Sequence, residues 1–150
     1  MEDSREIRFR AWDKKDKKMY DEWADEFDYN HGTAVGPAND GGYLAIEELL
    51  STDEENEPER YVLMQYTGLK DKNGVEIYEG DIVDITSTNT SGSILPSKYK
   101  VIYGCGSFDI SRESYGETIS YRIGEIPNGN NEILGNIYEN PELLGRGEDE

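Results

Sequence analysis

The sequence predicts a mainly β protein, a β-rich α+β chain whose helix is confined to short turns. Three observations predict it. Short segments rich in β-branched and aromatic residues recur at near-regular spacing. Gly, Asn and Asp clusters separate them, and 16 of the 150 residues are Gly. The chain is only 35% apolar but carries 11 Tyr and 3 Phe, and aromatic rings bury large areas in a lean core. Strands of this length and spacing favour a small barrel or sandwich. The length fits one domain, or two small lobes.

Glu6 to Trp12 alternates, with Ile7, Phe9 and Ala11 on one side and Glu6, Arg8 and Arg10 on the other, as a half-buried strand does. The polar run 13–18 reads as a hairpin loop, with Met19-Tyr20 starting the return strand. Tyr20 to Tyr29 fits two patterns. Tyr20, Trp23, Ala24 and Phe27 match helical spacing, whereas Met19, Trp23, Phe27 and Tyr29 can share a strand face. Residues 30–32 and 36–42 are turn segments. Tyr43 to Leu50 places Ile46, Leu49 and Leu50 on one side of a short helix. Residues 51–59 are acidic, contain Pro58 and lack any apolar side chain, as a mobile loop does.

Tyr61–Thr67 and Ile82–Thr86 read as strands. Between them, Asn73-Gly74 marks a tight turn, because both residues tolerate positive φ. Ser87 to Ser97 reads as a long exposed hairpin loop. Lys98–Tyr103 and Ser107–Ser111 are strands around Gly104-Cys105-Gly106, and Tyr115–Ile126 adds another. Residues 128–131 turn the chain into a last strand, Glu132–Tyr138. Asn140 and Pro141 suit the start of a single helical turn, with Leu143-Leu144 packing back.

Net charge is −18, and its placement is uneven. Residues 21–60 hold thirteen acidic residues and one basic one, Arg60, so two thirds of the excess sits in about a quarter of the chain. Such a surface repels phosphates, which disfavours direct nucleic-acid binding by this face. No run is long and apolar enough to span a bilayer, and the start lacks the apolar core of a signal peptide. The single Cys105 excludes an intrachain disulfide and fits a reducing compartment. The expected location is therefore cytoplasmic.

Chemistry-bearing sets are sparse. Cys105 has no neighbouring His in sequence to activate it, and the lone His31 lies in a Gly-rich stretch. One His and one Cys exclude the usual zinc clusters. Asp21, Glu22, Asp25, Glu26 and Asp28 lack the spacing of an EF-hand. Asp40-Gly41-Gly42 is not followed by the Lys-Ser/Thr of a phosphate loop. Glu76, Glu79 and Asp81 cluster beside Tyr78, but Asp81 after Gly80 reads as a turn residue whose carboxylate binds backbone N–H groups. No enzyme activity, metal or cofactor is expected.

Three segments together carry a resemblance. They are Arg5-Glu6-Ile7-Arg8-Phe9-Arg10-Ala11-Trp12-Asp13, the run from Gln65 through Asn73-Gly74 and Gly80-Asp81 to Val83, and Ile133-Leu134-Gly135-Asn136-Ile137-Tyr138-Glu139-Asn140-Pro141-Glu142-Leu143-Leu144. In this order they resemble the YopX-like family of small bacteriophage and prophage proteins. The resemblance implies an SH3-like barrel and no established biochemical activity. It frames the chain as an N-terminal β-hairpin region with an acidic insertion over 1–60, a barrel region over 61–145 and a flexible tail over 146–150. It also implies that the cytoplasm is that of an infected bacterial host.

Two functional expectations follow. The first is a phage accessory protein that binds a host protein with a basic surface, its carboxylates standing in for phosphates to inhibit a nucleic-acid-handling or defence protein. Asp21, Glu22, Asp25, Glu26 and Asp28 would supply the charge, and Trp23, Phe27 and Tyr43 the anchors. The second is a binder that sequesters a small ligand or nucleotide signal through Arg8, Arg10 and Trp12, since arginines clamp phosphates and carboxylates; a homo-oligomer interface is left open. A housekeeping role in the phage is the third.

Overall fold

The computed structural model describes residues 6–23, 34–36, 44–45, 60–88, 94–126 and 131–145. The chain divides into two compact units, Met1–Tyr66 and Thr67–Glu150. Strand dominates the described residues, and helix is limited to two short 3-10 turns, as the composition predicts.

In the first unit β1 (Phe9–Asp13) is central. It pairs antiparallel with β2 (Lys18–Tyr20) on one side, Ala11 facing Tyr20. On its other side lies the start of β6 (Tyr61–Lys70), with Ala11 facing Leu63 and Asp13 facing Tyr61. The expected hairpin and return strand are thus present. The half-buried alternation is not. Ile7 precedes the strand and is 56% exposed, while Arg10, Ala11, Trp12 and Asp13 are all buried. Two strands of a second sheet, Glu22–Trp23 and Ala34–Gly36, also lie against β1, so polar residues on its second face are covered as well.

A three-stranded antiparallel sheet follows, made of β3 (Glu22–Trp23), β4 (Ala34–Gly36) and β5 (Leu44–Ala45). Trp23 pairs with Val35, and Val35 in turn with Leu44. The start of the ambiguous 20–29 stretch is therefore extended. Leu44–Ala45 is strand rather than the start of a helix, because pairing with β4 outweighs a weak local helical pattern. The remaining residues of both stretches, and the expected loop at 51–59, lie outside the described residues.

In the second unit β6 runs on as far as Lys70, and the Thr67 hydroxyl donates to the Ile77 carbonyl of β7 (Glu76–Tyr78) at 2.8 Å. Five antiparallel strands then form a curled half-barrel sheet in the order β11-β10-β9-β8-β12. They are β8 (Asp81–Thr88), β9 (Ile94–Gly104), β10 (Ser107–Ser114), β11 (Glu117–Arg122) and β12 (Asn131–Asn136). Ile77, Val83, Tyr99, Val101, Ile110 and Ile123 form its core. The strands around the expected 87–97 loop reach Thr88 and resume at Ile94, so pairing of Thr88 with Ile94 takes most of that loop into the sheet.

Two hairpins turn through two residues each. Cys105 and Gly106 (φ 52° and 82°) join β9 to β10, and Tyr115 and Gly116 (φ 51° and 79°) join β10 to β11. Positive φ at both positions matches the twist of the flanking strands. The 3-10 turns are Ile123–Glu125 and Pro141–Leu144. Asn140 precedes the second, as expected, but its side-chain oxygen accepts from the Asn136 N–H (3.3 Å) instead of capping the turn.

Candidate functional site

Within the first unit the acid-rich stretch leaves the β2-β1-β6 sheet after β2 and returns to it at β6. Tyr20 faces Ala11 from one side of β1 and Tyr61 faces Asp13 from the other, so the stretch starts and ends on the two strands that flank β1. The return end is clamped. The Arg60 guanidinium donates to both oxygens of Asp13, Nε to Oδ1 at 2.9 Å and Nη2 to Oδ2 at 2.7 Å, and reaches Asp16 Oδ2 at 3.1 Å. Its Cζ sits 4.9 Å from the centre of the Tyr61 ring, and its carbonyl accepts from the Lys14 N–H at 2.9 Å.

Asp13 is wholly buried and also accepts from the N–H groups of Lys15 (2.9 Å) and Asp16 (3.2 Å). The Arg60 hydrogen bond, with those two backbone donors, outweighs burial and holds the Asp13 carboxyl below the usual carboxylate range. The same bond raises the pKa of Arg60. Such a fork-to-fork pair ranks among the stronger polar contacts. It has an electrostatic consequence for the stretch it closes. Arg60 is the only basic residue among 21–60, and its described ion pairs go to Asp13 and Asp16, both outside that stretch.

Of the residues expected to meet a protein partner, Asp21 is exposed between β2 and β3, and Glu22 and Trp23 form β3. Asp25, Glu26, Phe27, Asp28 and Tyr43 lie outside the described residues. The arginine-aromatic set is divided by burial. Arg8 is half exposed and pairs with Glu6 at 3.4 Å, whereas Arg10 (8%) and Trp12 (6%) are buried. Those three side chains do not share one solvent-facing surface.

The second unit uses its carboxylates to organise backbone. Asp81, 2% exposed, accepts from the Tyr78 N–H at 2.8 Å, which is the turn role its place after Gly80 predicts. Tyr78 Oη donates to Glu76 at 3.2 Å. Asp71, 7% exposed, accepts from Asn73 (2.8 Å) and Val75 (3.0 Å) through Oδ1 and from Ile133 (3.0 Å) through Oδ2. Burial raises its pKa, but the three N–H donors outweigh that and leave it lowered. Reasoning from sequence missed Asp71; the signal was an Asp two residues before Asn-Gly, the start of an Asx turn. Cys105 is exposed at a hairpin tip. Among the described residues no group of three or more His, Cys, Asp or Glu could hold a metal ion, and no helix is long and apolar enough to cross a membrane.

Comparison with known proteins matches residues 8–145 to the family model described as YopX protein. The crystal structure of protein EF1440 from Enterococcus faecalis is similar, with a TM-score of 0.57 and 30% sequence identity over 94% of this chain and 99% of that one. No curated protein matches the chain.

Proposed function

We propose a binding role for this chain, which belongs to the YopX protein family: a non-enzymatic phage accessory protein that presents the carboxylates of residues 21–59 to a basic surface of a host protein. The supporting observation is the pairing of Arg60. Thirteen acidic side chains are accompanied by a single cation, and that cation bonds to Asp13 and Asp16. A stretch with so few cations in its own sequence favours a partner that brings them. A host protein that handles nucleic acid has such a surface, because arginines that bind phosphate also bind carboxylate.

Binding of this kind weakens steeply with salt, since exposed charges are screened beyond about 10 Å at 0.1 M. The test is capture of host protein at low and moderate salt by wild type and by a variant with Asp21, Glu22, Asp25 and Glu26 all changed to Lys. The variant loses the partner and keeps its thermal midpoint, because surface charges contribute little to folding. Capture that survives both the reversal and the salt overturns the proposal. The small-ligand reading has weaker support, since Arg10 and Trp12 are buried. Arg8→Ala provides its control: loss of activity there, with the charge reversal silent, transfers the function to that reading.

A further inference from the structure

The two edges of the five-stranded sheet are finished differently. On the outer side of β12, the Ile133 N–H donates to Asp71 Oδ2 (3.0 Å), and the Asn131 carbonyl accepts from the Lys72 N–H (3.0 Å). That edge is closed by the chain itself. β11 is the opposite edge, and its residues are exposed apart from the half-buried Ile119. The two-residue turn makes Ser114 and Glu117 a hydrogen-bonded pair, so Glu117, Ile119 and Tyr121 direct their backbone groups toward β10. Thr118, Ser120 and Arg122 direct theirs outward, and among the described residues nothing accepts or donates there. The strand has no Pro, Lys or bulge, the usual devices that blunt an edge.

We propose that β11 pairs antiparallel with β11 of a second copy of this chain, about a two-fold axis at Ser120. In that register Ser120 faces Ser120, and Thr118 faces Arg122 of the other copy. All outward-directed backbone groups of both strands are then bonded. Ile119 falls opposite Tyr121 of the second copy in the closer, non-hydrogen-bonded position, where an aromatic and a β-branched side chain pack well. Tyr121 is prepared for this. One side of its ring meets Tyr99 edge-on at 6.2 Å, yet the residue remains 52% exposed. Charge agrees with the register. The Thr118 hydroxyl donates to Glu113 at 2.8 Å, so Arg122 of the second copy arrives beside a carboxylate. Arg122 is exposed and makes no ion pair among the described residues. A one-step shift about Ile119 would leave the Arg122 backbone groups unbonded and set Glu117 against Tyr121.

The test is sedimentation velocity of the full chain from low micromolar to several hundred micromolar, in about 0.15 M salt where the Debye length is about 8 Å. Wild type doubles in mass from 17.0 kDa as concentration rises. Ser120→Pro removes an N–H that the monomer does not use and stays monomeric throughout. Ser120→Lys keeps the backbone but sets two cations face to face, so it decides the matter if the proline variant fails to fold. For register, Ser120→Cys in a Cys105→Ser background forms a covalent dimer on oxidation, because paired Cα atoms near 5.5 Å suit a disulfide. Wild type at 17.0 kDa across the range, or a dimer that persists in Ser120→Lys, overturns the proposal.

Discussion

The Asp71 carboxylate accepts the N–H of Ile133 at 3.0 Å, joining a turn to a strand 62 residues further along. Its other oxygen serves Asn73 and Val75 within the turn. One buried side chain therefore shapes the β6–β7 connection and closes the edge of β12. Asp71→Ala leaves these donors without their acceptor and costs about 3 kcal/mol, given the usual value of hydrogen bonds to charged groups. Urea denaturation measures it; a loss below about 1 kcal/mol would mean water replaces the carboxylate.

Acid should act through the same group. The folded-state pKa of Asp71 lies below its unfolded value. Its stabilisation is therefore complete above the unfolded value of about 3.9 and disappears as pH falls through the lower folded one. The gap in thermal midpoint between wild type and Asp71→Asn is expected to hold from neutral pH to about 5 and to narrow below about 4. The comparison isolates Asp71 from the rest of the charge, whose repulsion also changes on protonation. A gap that widens in acid contradicts this account.

Two glycines separate conformational from steric cost. Gly74 has φ of 82° with nothing within 4 Å of an added Cβ, so Gly74→Val is expected to cost roughly 1 kcal/mol or more through backbone strain alone. Gly135 is constrained by space, because an added Cβ would collide with the Asn140 side chain. That side chain accepts from the Asn136 N–H, so Gly135→Ala loosens the start of the second 3-10 turn as well. Gly74→Asn, a residue that tolerates positive φ, recovers most of the Gly74 loss. No residue with a Cβ recovers Gly135. Paired denaturant melts distinguish the two.

Arg60→Ala removes the main partner of a wholly buried carboxylate and is expected to cost about 2 to 3 kcal/mol. Arg60→Lys recovers less than half of that, since an ammonium cannot reproduce the two-point contact with Asp13. Full recovery by Lys in a denaturant melt would show that charge alone matters there.

Local pattern determined a good deal of this protein. β-Branched and aromatic segments between Gly, Asn and Asp clusters located the hairpins, the Asn73-Gly74 turn and the role of Asp81, because these depend on which φ and ψ values nearby residues allow. The family resemblance was also legible, through Arg5 to Asp13, Gln65 to Val83 and Ile133 to Leu144. So was the excess of carboxylates in residues 21–60, which is a matter of counting. Only the tertiary structure decided which strands are central and which lie at an edge. Arg10 and Trp12 are buried because β1 is central in its sheet and β3 and β4 of another sheet lie against it, and Leu44–Ala45 is extended because β4 pairs with it. The same holds for the partners of Arg60 and Asp71, which lie 47 and 62 residues away. A one-dimensional pattern carries the period of a strand. It does not carry the identity of its neighbours, and those neighbours set burial, the open edge at β11 and the employment of the one cation in the acidic stretch.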